Sequence, residues 1–425
     1  AGIMTLPNTL KKAGYKTAAF GKWGLGSMDS TGNIFQQGFD HFIGLTSQWQ
    51  AHSHYPAALW VDDKFTPLDN GPKGVPGHGG FPAGADVNDP ANYAPFIGKD
   101  FAPDHFIRGA EAFIAAHAKE PFFLYFASPL PHVSLQLPAE DLAVYAGKFP
   151  EDKPFAPAAK GSYVPNSTPY ATYAAMITRL DKDVGRIIAA LEKAGVADNT
   201  LIVFTGDNGA THDVGGVDTK FFASAGGLRG LKGSLHEGGV REPCLMRWPG
   251  QLPAGATCDQ YVMTIDLLPT LARRIGADLP KLPIDGLDVW PILSRQPGAA
   301  NPHAGYGNWY AQNELQAVVS GDGEWKLVLP HRYRTLGGRP GGRDGIPAKY
   351  ENVNLDRPAL YNLRADRAET KDVAEANPAV VAQLLAFAEQ CRADLGDSLT
   401  QRKGAGVREP GRVEGAPGKR KAKSD

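Results

Sequence analysis

Residues 17–26 read TAAFGKWGLG: a short apolar run, then a glycine, then a lysine where a strand would end. An apolar run that is continuous rather than alternating marks a strand covered on both faces, as in a parallel sheet between helices. Three further runs share this character: 121–127 (PFFLYFA), 201–205 (LIVFT) and the shorter 244–248. Helical patterns separate them. A first helix opens after Thr5 as cap, turns Leu6 and Leu10 inward and stops at Gly14, and a second spans about 104–118. The long segment 169–194 places Met176, Leu180, Val184, Ile187, Ile188 and Leu191 on one face, with Thr168 as cap, Pro169 in the first turn and Gly195 as the stop. Residues 264–275 predict a shorter helix. Alternating strand and helix predicts an α/β fold with a mostly parallel central sheet flanked by helices.

From about residue 301 the texture changes. EWKLVL (324–329) and ALYNL (359–363) read as strands of a small antiparallel sheet, and 378–395 as a helix capped by Asn377. The expected organisation is a large domain over 1–300, a small C-terminal α+β domain over 301–396, and a basic, disordered tail over 397–425 that includes KRKAK. Residues 70–100, dense in glycine and proline, read as a surface excursion. There are 50 Gly and 34 Pro among 425 residues, so long loops, where sites usually sit, make up much of the chain.

A formal net charge of −1 gives no global attraction to nucleic acid or acidic membranes, so any charge recognition must be local. No run of about 18 apolar residues predicts a membrane span, and AGIMTLPNTLKKAGY lacks the pattern of a secretion signal. Three cysteines are too few for a disulfide scaffold, although a Cys244–Cys258 bridge is open.

Ligands of open parallel sheets bind beyond the carboxyl ends of the strands. Lys22 follows the first predicted strand, His132 the second in SPLPHVSLQLP, and Asp207 with Asn208 the third in VFTGDNGA. Lys232 lies downstream in GLRGLKGSLHEGGVREP. Singly, these are an ordinary strand exit, a turn, a loop histidine and a surface cation. Jointly they suit transfer of a sulfate or phosphate ester. Such chemistry uses a hard cation held by oxygens, fixed positive charges and a proton donor near the leaving oxygen.

These motifs resemble the formylglycine-dependent sulfatases of the alkaline-phosphatase superfamily. GYKTAAFGKWGLG is similar to the family's second signature, LIVFTGDNG to its metal-binding strand end, GLRGLKGSLHEGGVREPCLMRWPG to its downstream lysine segment, LPHVSLQLP to its substrate-histidine loop, and LYNLRADRAETKDVA to its C-terminal domain. The resemblance implies that Lys22 and Lys232 bind sulfate, that His132 lies beside the leaving oxygen, and that Asp207 and Asn208 hold Ca2+, or Mg2+ in its place. It implies a sulfuric ester hydrolase acting on a sulfated small molecule or glycan, exported to the periplasm or cell exterior.

Two departures matter. The family's nucleophile motif, from which formylglycine forms, fits none of Cys244, Cys258 and Cys391, and an aspartate pair that completes the metal ligands is not found. The expectation is a chain that begins downstream of that segment and is poorly soluble or inactive toward aryl sulfates by itself. Gly24 also stands where many members carry histidine, and His52 or His54 is expected to fill the space, with His212 a further substrate contact. Two other functions fit the same residues: a phosphodiesterase or phosphonate monoester hydrolase on this scaffold, and a non-catalytic binder of sulfated glycans.

Overall fold

The computed structural model describes residues 4–150, 153–158, 161–212, 214–336 and 349–408. KRKAK lies outside the described residues. Strands are β1 (Lys16–Lys22), β2 (His41–Leu45), β3 (Ala58–Val61), β4 (Lys64–Pro67), β5 (Phe122–Ala127), β6 (Ile202–Thr205), β7 (Cys244–Arg247), β8 (Gly305–Tyr310), β9 (Glu314–Ser320), β10 (Trp325–Val328), β11 (His331–Thr335), β12 (Glu351–Leu355) and β13 (Ala359–Asn362). Helices are α1 (Leu6–Lys12), α2 (Ala102–His117), α3 (Ala139–Leu142), α4 (Pro169–Lys193), α5 (Glu237–Val240), α6 (Leu267–Arg274), α7 (Trp290–Leu293) and α8 (Pro378–Leu395).

The central sheet runs β4-β3-β2-β1-β5. β1 is parallel to both of its neighbours, with Ala19 opposite Phe42 of β2 and Tyr125 of β5, while β3 and β4 extend the sheet antiparallel beyond β2. Its centre is the continuous apolar run of β1, whose Ala18, Ala19 and Phe20 are buried. α2 covers one face through Phe106, Ala110 and Phe113; Trp23, Ile34 and Phe39 cover the other. The fold is α/β, as the sequence predicts.

β6 and β7 differ from that expectation. They pair only with each other, antiparallel, as a two-stranded ribbon among the described residues. The outer edge of β5 likewise has no strand partner there, and Tyr125 on it is 46 % exposed. Ile202 of β6 still shares an apolar cluster with Phe122 and Leu124 of β5, so the ribbon packs beside the sheet without being bonded into it.

α4 begins and ends where expected, but its cap is supplied differently. Thr168 makes no side-chain cap bond; the Asn166 amide oxygen instead accepts from Thr168 N (2.8 Å) and from the Thr172 hydroxyl (3.2 Å). The apolar face is also interrupted by charge. Arg179 and Asp183 are buried, and the Arg179 guanidinium donates to Asp104, Asp141 (2.8 Å) and Asp183 (3.1 Å), tying α2, α3 and α4 together.

A second sheet, β13-β10-β9-β8, is antiparallel throughout. α8 packs on one face through Leu384 and Ala388, and Tyr261 and Met263 meet the other. Asn377 does not cap α8; its amide donates to Val373 O (2.9 Å). The expected disordered tail is wrong over 397–408. Asp397 is buried, accepts from Arg392 Nε (2.8 Å) and from Leu315 N, and pins this segment to β9. Cys244, Cys258 and Cys391 are free thiols, so no Cys244–Cys258 bridge forms.

Candidate functional site

Lys22 leaves β1 through a glycine that no other residue could replace. Gly21 has φ +119°, and a Cβ there would lie 2.0 Å from Ala127 O of β5; a Cβ on Gly44 of β2 would lie 2.0 Å from Gly21 O. The ends of three strands thus converge at bare backbone, and the half-buried Lys22 stands at that convergence. Its pKa is lowered first by burial and then by the positive charge of Lys232, with Asp207 opposing. Residues more than two hundred positions apart therefore share one field.

Lys232 is brought there by backbone. Lys232 N donates to Ala210 O (2.9 Å), and Gly209 N to Gly239 O (3.0 Å), which joins the lysine loop to the DNG turn after β6. A Cβ on Gly209 would meet Gly238 O at 2.0 Å. The lysine segment is in turn held by the second sheet. Arg229 donates to the Tyr361 hydroxyl of β13 (2.9 Å) and, outside that sheet, to the Tyr333 hydroxyl of β11 (3.1 Å), and the buried Lys326 of β10 pairs with Glu237 (2.8 Å) and Glu369 (3.2 Å).

His132 sits on a loop anchored by the buried Leu130, Val133, Leu135 and Leu137 and by the Gln136 amide, which donates to Phe96 O (2.8 Å). His132 Nδ1 lies 2.5 Å from Val133 O. That carbonyl can only accept, so Nδ1 carries the proton and Nε2 the lone pair. Burial, then Lys232 and Lys22, push the His132 pKa down to about 3, so the free protein holds it neutral. The His52 ring stacks on His132 at 4.9 Å and 9°, and burial with His78 and the two lysines lowers its pKa to about 4.

His54 does not reach this site. It is fully buried, with Nε2 3.1 Å from His132 O, and so supports the loop from behind. Neither histidine fills the space at Gly24, because a Cβ there would lie 2.1 Å from the Gln48 side-chain nitrogen: Gln48 occupies it. His212 lies against the separate antiparallel pair β11-β12, 3.4 Å from Arg334 Nη2 on β11 and edge-on to Tyr350, while Arg334 also donates to Lys232 O (3.3 Å).

Asp207 is exposed, and the Asn208 amide nitrogen donates to Gly209 O (3.2 Å), leaving Oδ1 as an acceptor beside it. Glu242 was not evident from sequence. Burial and the Asp207 charge raise its pKa, and its Oε1 is buried with no hydrogen-bond partner among the described residues. These oxygens are the donors a hard divalent cation prefers, and two or three fill only part of its shell. No group of three or more His, Cys, Asp or Glu is arranged as a metal centre among the described residues.

The Sulfatase family model matches residues 1–277, well over half of the chain. The chain belongs to the sulfatase family. The chain is 29 % identical to human arylsulfatase A over 413 residues, covering 93 % of the chain and 72 % of that protein. It is 26 % identical to the N-acetylgalactosamine-6-O-sulfatase of Bacteroides thetaiotaomicron, covering 92 % of the chain and 77 % of the relative. Mouse steryl-sulfatase is 35 % identical, but over 49 % of the chain; the match spans 35 % of that protein's length, and the match to mouse arylsulfatase J spans 60 % of its length. A solved Bacteroides thetaiotaomicron structure, described under metabolism of multiple glycosaminoglycans, superposes with a TM-score of 0.65 at 24 % identity, covering 92 % of this chain and 82 % of its own. Its likeness concerns the fold.

Proposed function

We propose that the site binds the sulfate group of a sulfate ester between Lys22 and Lys232 and positions it for hydrolysis. The observation that carries this is the pair of lysines held in one field beside His52 and His132, where burial and mutual repulsion outweigh the opposing Asp207 charge at Lys22 and an anion would relieve that repulsion. Asp207 and Asn208 would hold a calcium or magnesium ion, which when bound would neutralise charge on the sulfate oxygens. Gln48, whose side-chain nitrogen stands where a side chain on Gly24 would begin, would offer an amide donor there. His132 is neutral in the free protein, so it becomes a proton donor to the leaving oxygen only after the bound anion has offset the lysines and raised its pKa. His212 would lie at the outer margin of the substrate. No residue of this chain is assigned as the nucleophile. Export of the protein to the periplasm or outside the cell is part of the same reading; no described helix is long and apolar enough to cross a membrane.

The test is binding. Inorganic sulfate should raise the melting temperature of the chain, and Lys22→Ala and Lys232→Ala should each abolish that rise while the unliganded melting temperature moves little. A rise that persists in both variants overturns the assignment. Equal or greater protection by phosphate would favour a phosphate or phosphonate ester as substrate.

A further inference from the structure

We propose that Trp49 and His78 form a saccharide-stacking subsite beside the two lysines, so that the substrate is a sulfated sugar whose pyranose ring lies on the free face of Trp49. The proposal rests on the sulfate reading above and adds the chemical class of what carries the sulfate. Trp49 is 64 % exposed, whereas its neighbour Ala51 and the nearby Ser53 and His54 are buried. A single exposed tryptophan is ordinary on a protein surface. This one is held in place. Its ring lies parallel to His78 at 4.1 Å and 3°, so one face is covered and the exposure belongs to the other.

His78 cannot turn away, because both ring nitrogens are engaged. Nδ1 lies 3.2 Å from Gly161 O, which can only accept, so Nδ1 donates and Nε2 accepts from His52 Nδ1 at 2.7 Å. Tyr163 supports His78 from the side at 4.6 Å. From His78 the rings run without a gap toward the lysines: His52 is 5.0 Å away, and His132 stacks on His52 at 4.9 Å. Trp49 therefore stands two rings from the histidine that flanks the sulfate site.

A pyranose presents a flat array of C–H groups on its face and hydroxyls on its rim. It suits an open aromatic plane on a polar surface better than a sterol or an alkyl group does, because those need an apolar pocket closed on several sides. Since the plane is fixed before binding, little side-chain freedom is lost when a sugar stacks. The segment that makes it is compact: Gln48 turns to Gly24, Trp49 outward, and the short turn Gln50–His52 returns the chain so that His52 faces inward.

Calorimetric titration of the full chain tests this with three probes: inorganic sulfate, a chondroitin 6-sulfate tetrasaccharide and a κ-carrageenan hexasaccharide. The expected result is that at least one oligosaccharide binds the wild type tighter than sulfate does. Trp49→Ala should then weaken that oligosaccharide about tenfold, Trp49→Phe should retain most of the affinity, and the sulfate constant should move less than twofold. If Trp49→Ala binds every oligosaccharide as the wild type does while Lys22→Ala loses them, the subsite is refuted and the sulfate site stands. Equal loss of sulfate and oligosaccharide in Trp49→Ala also overturns the proposal. Failure of the wild type to bind sulfate at all refutes the sulfate reading and this one with it.

Discussion

At the level of single residues, the site is marked by histidines that burial keeps neutral. His54 is fully enclosed and its pKa is lowered to about 4, while His132 falls to about 3 and His236, buried near Arg229 and Lys326, to about 2. In the unfolded chain each would take a proton near pH 6.5. The unfolded state therefore binds more protons below that pH, and stability that is complete above pH 6.5 declines as the pH falls toward 4 and below. The slope approaches about 1.4 kcal/mol per pH unit for each buried histidine. Urea denaturation midpoints between pH 7.5 and 4.5 should show this decline. His54→Phe should flatten it, and an unchanged profile in that variant would show that His54 is not the group responsible. Lys22, His132, Asp207 and Lys232 could be named as candidates because strand ends, a loop and a turn announce them. Trp49, His78 and Gln48 could not, since the roles proposed for them arise where separate loops meet, and residues around His78 carry no periodicity to read.

At the level of secondary structure, legibility followed how local the determinant was. β1, β5, α4 and α8 could be read directly because apolar runs and flanking Gly or Pro fix them from within. The pairing of β6 with β7 could not, because a strand's partner is decided by distant chain. The charge on α4 was missed for a different reason: helical periodicity counts apolar residues, and Arg179 and Asp183 lie on the inward face as ions. That cluster makes a strong prediction. Arg179→Met leaves Asp183 buried without its cation and should cost about 3–5 kcal/mol in urea denaturation, whereas Arg179→Met with Asp183→Leu should recover part of the loss. A single variant within 1 kcal/mol of wild type, the scale of an exposed pair, would show that the guanidinium is not a structural hub.

For the whole molecule, the central question is how two lysines from different regions are kept together despite their repulsion. Lys22 is fixed by the glycine-lined convergence of β1, β2 and β5. Lys232 is fixed through Glu237 and Arg229 by the second sheet, whose Lys326 is fully buried between Glu237 and Glu369. Lys326→Met should leave those two carboxylates facing one another without their shared cation. The expected outcome is a loss of about 3 kcal/mol or more, with sulfate protection greatly reduced although no sulfate-facing side chain has changed. Full sulfate protection in Lys326→Met would separate the second sheet from the binding site.

That buried ammonium has a practical consequence. The segment matched by the family model ends at residue 277, an inviting place to trim the protein for expression. A product trimmed there would keep Lys232 and Glu237 but discard the countercharge that reaches back to Glu237 from position 326. It would present one well-placed cation and one adrift.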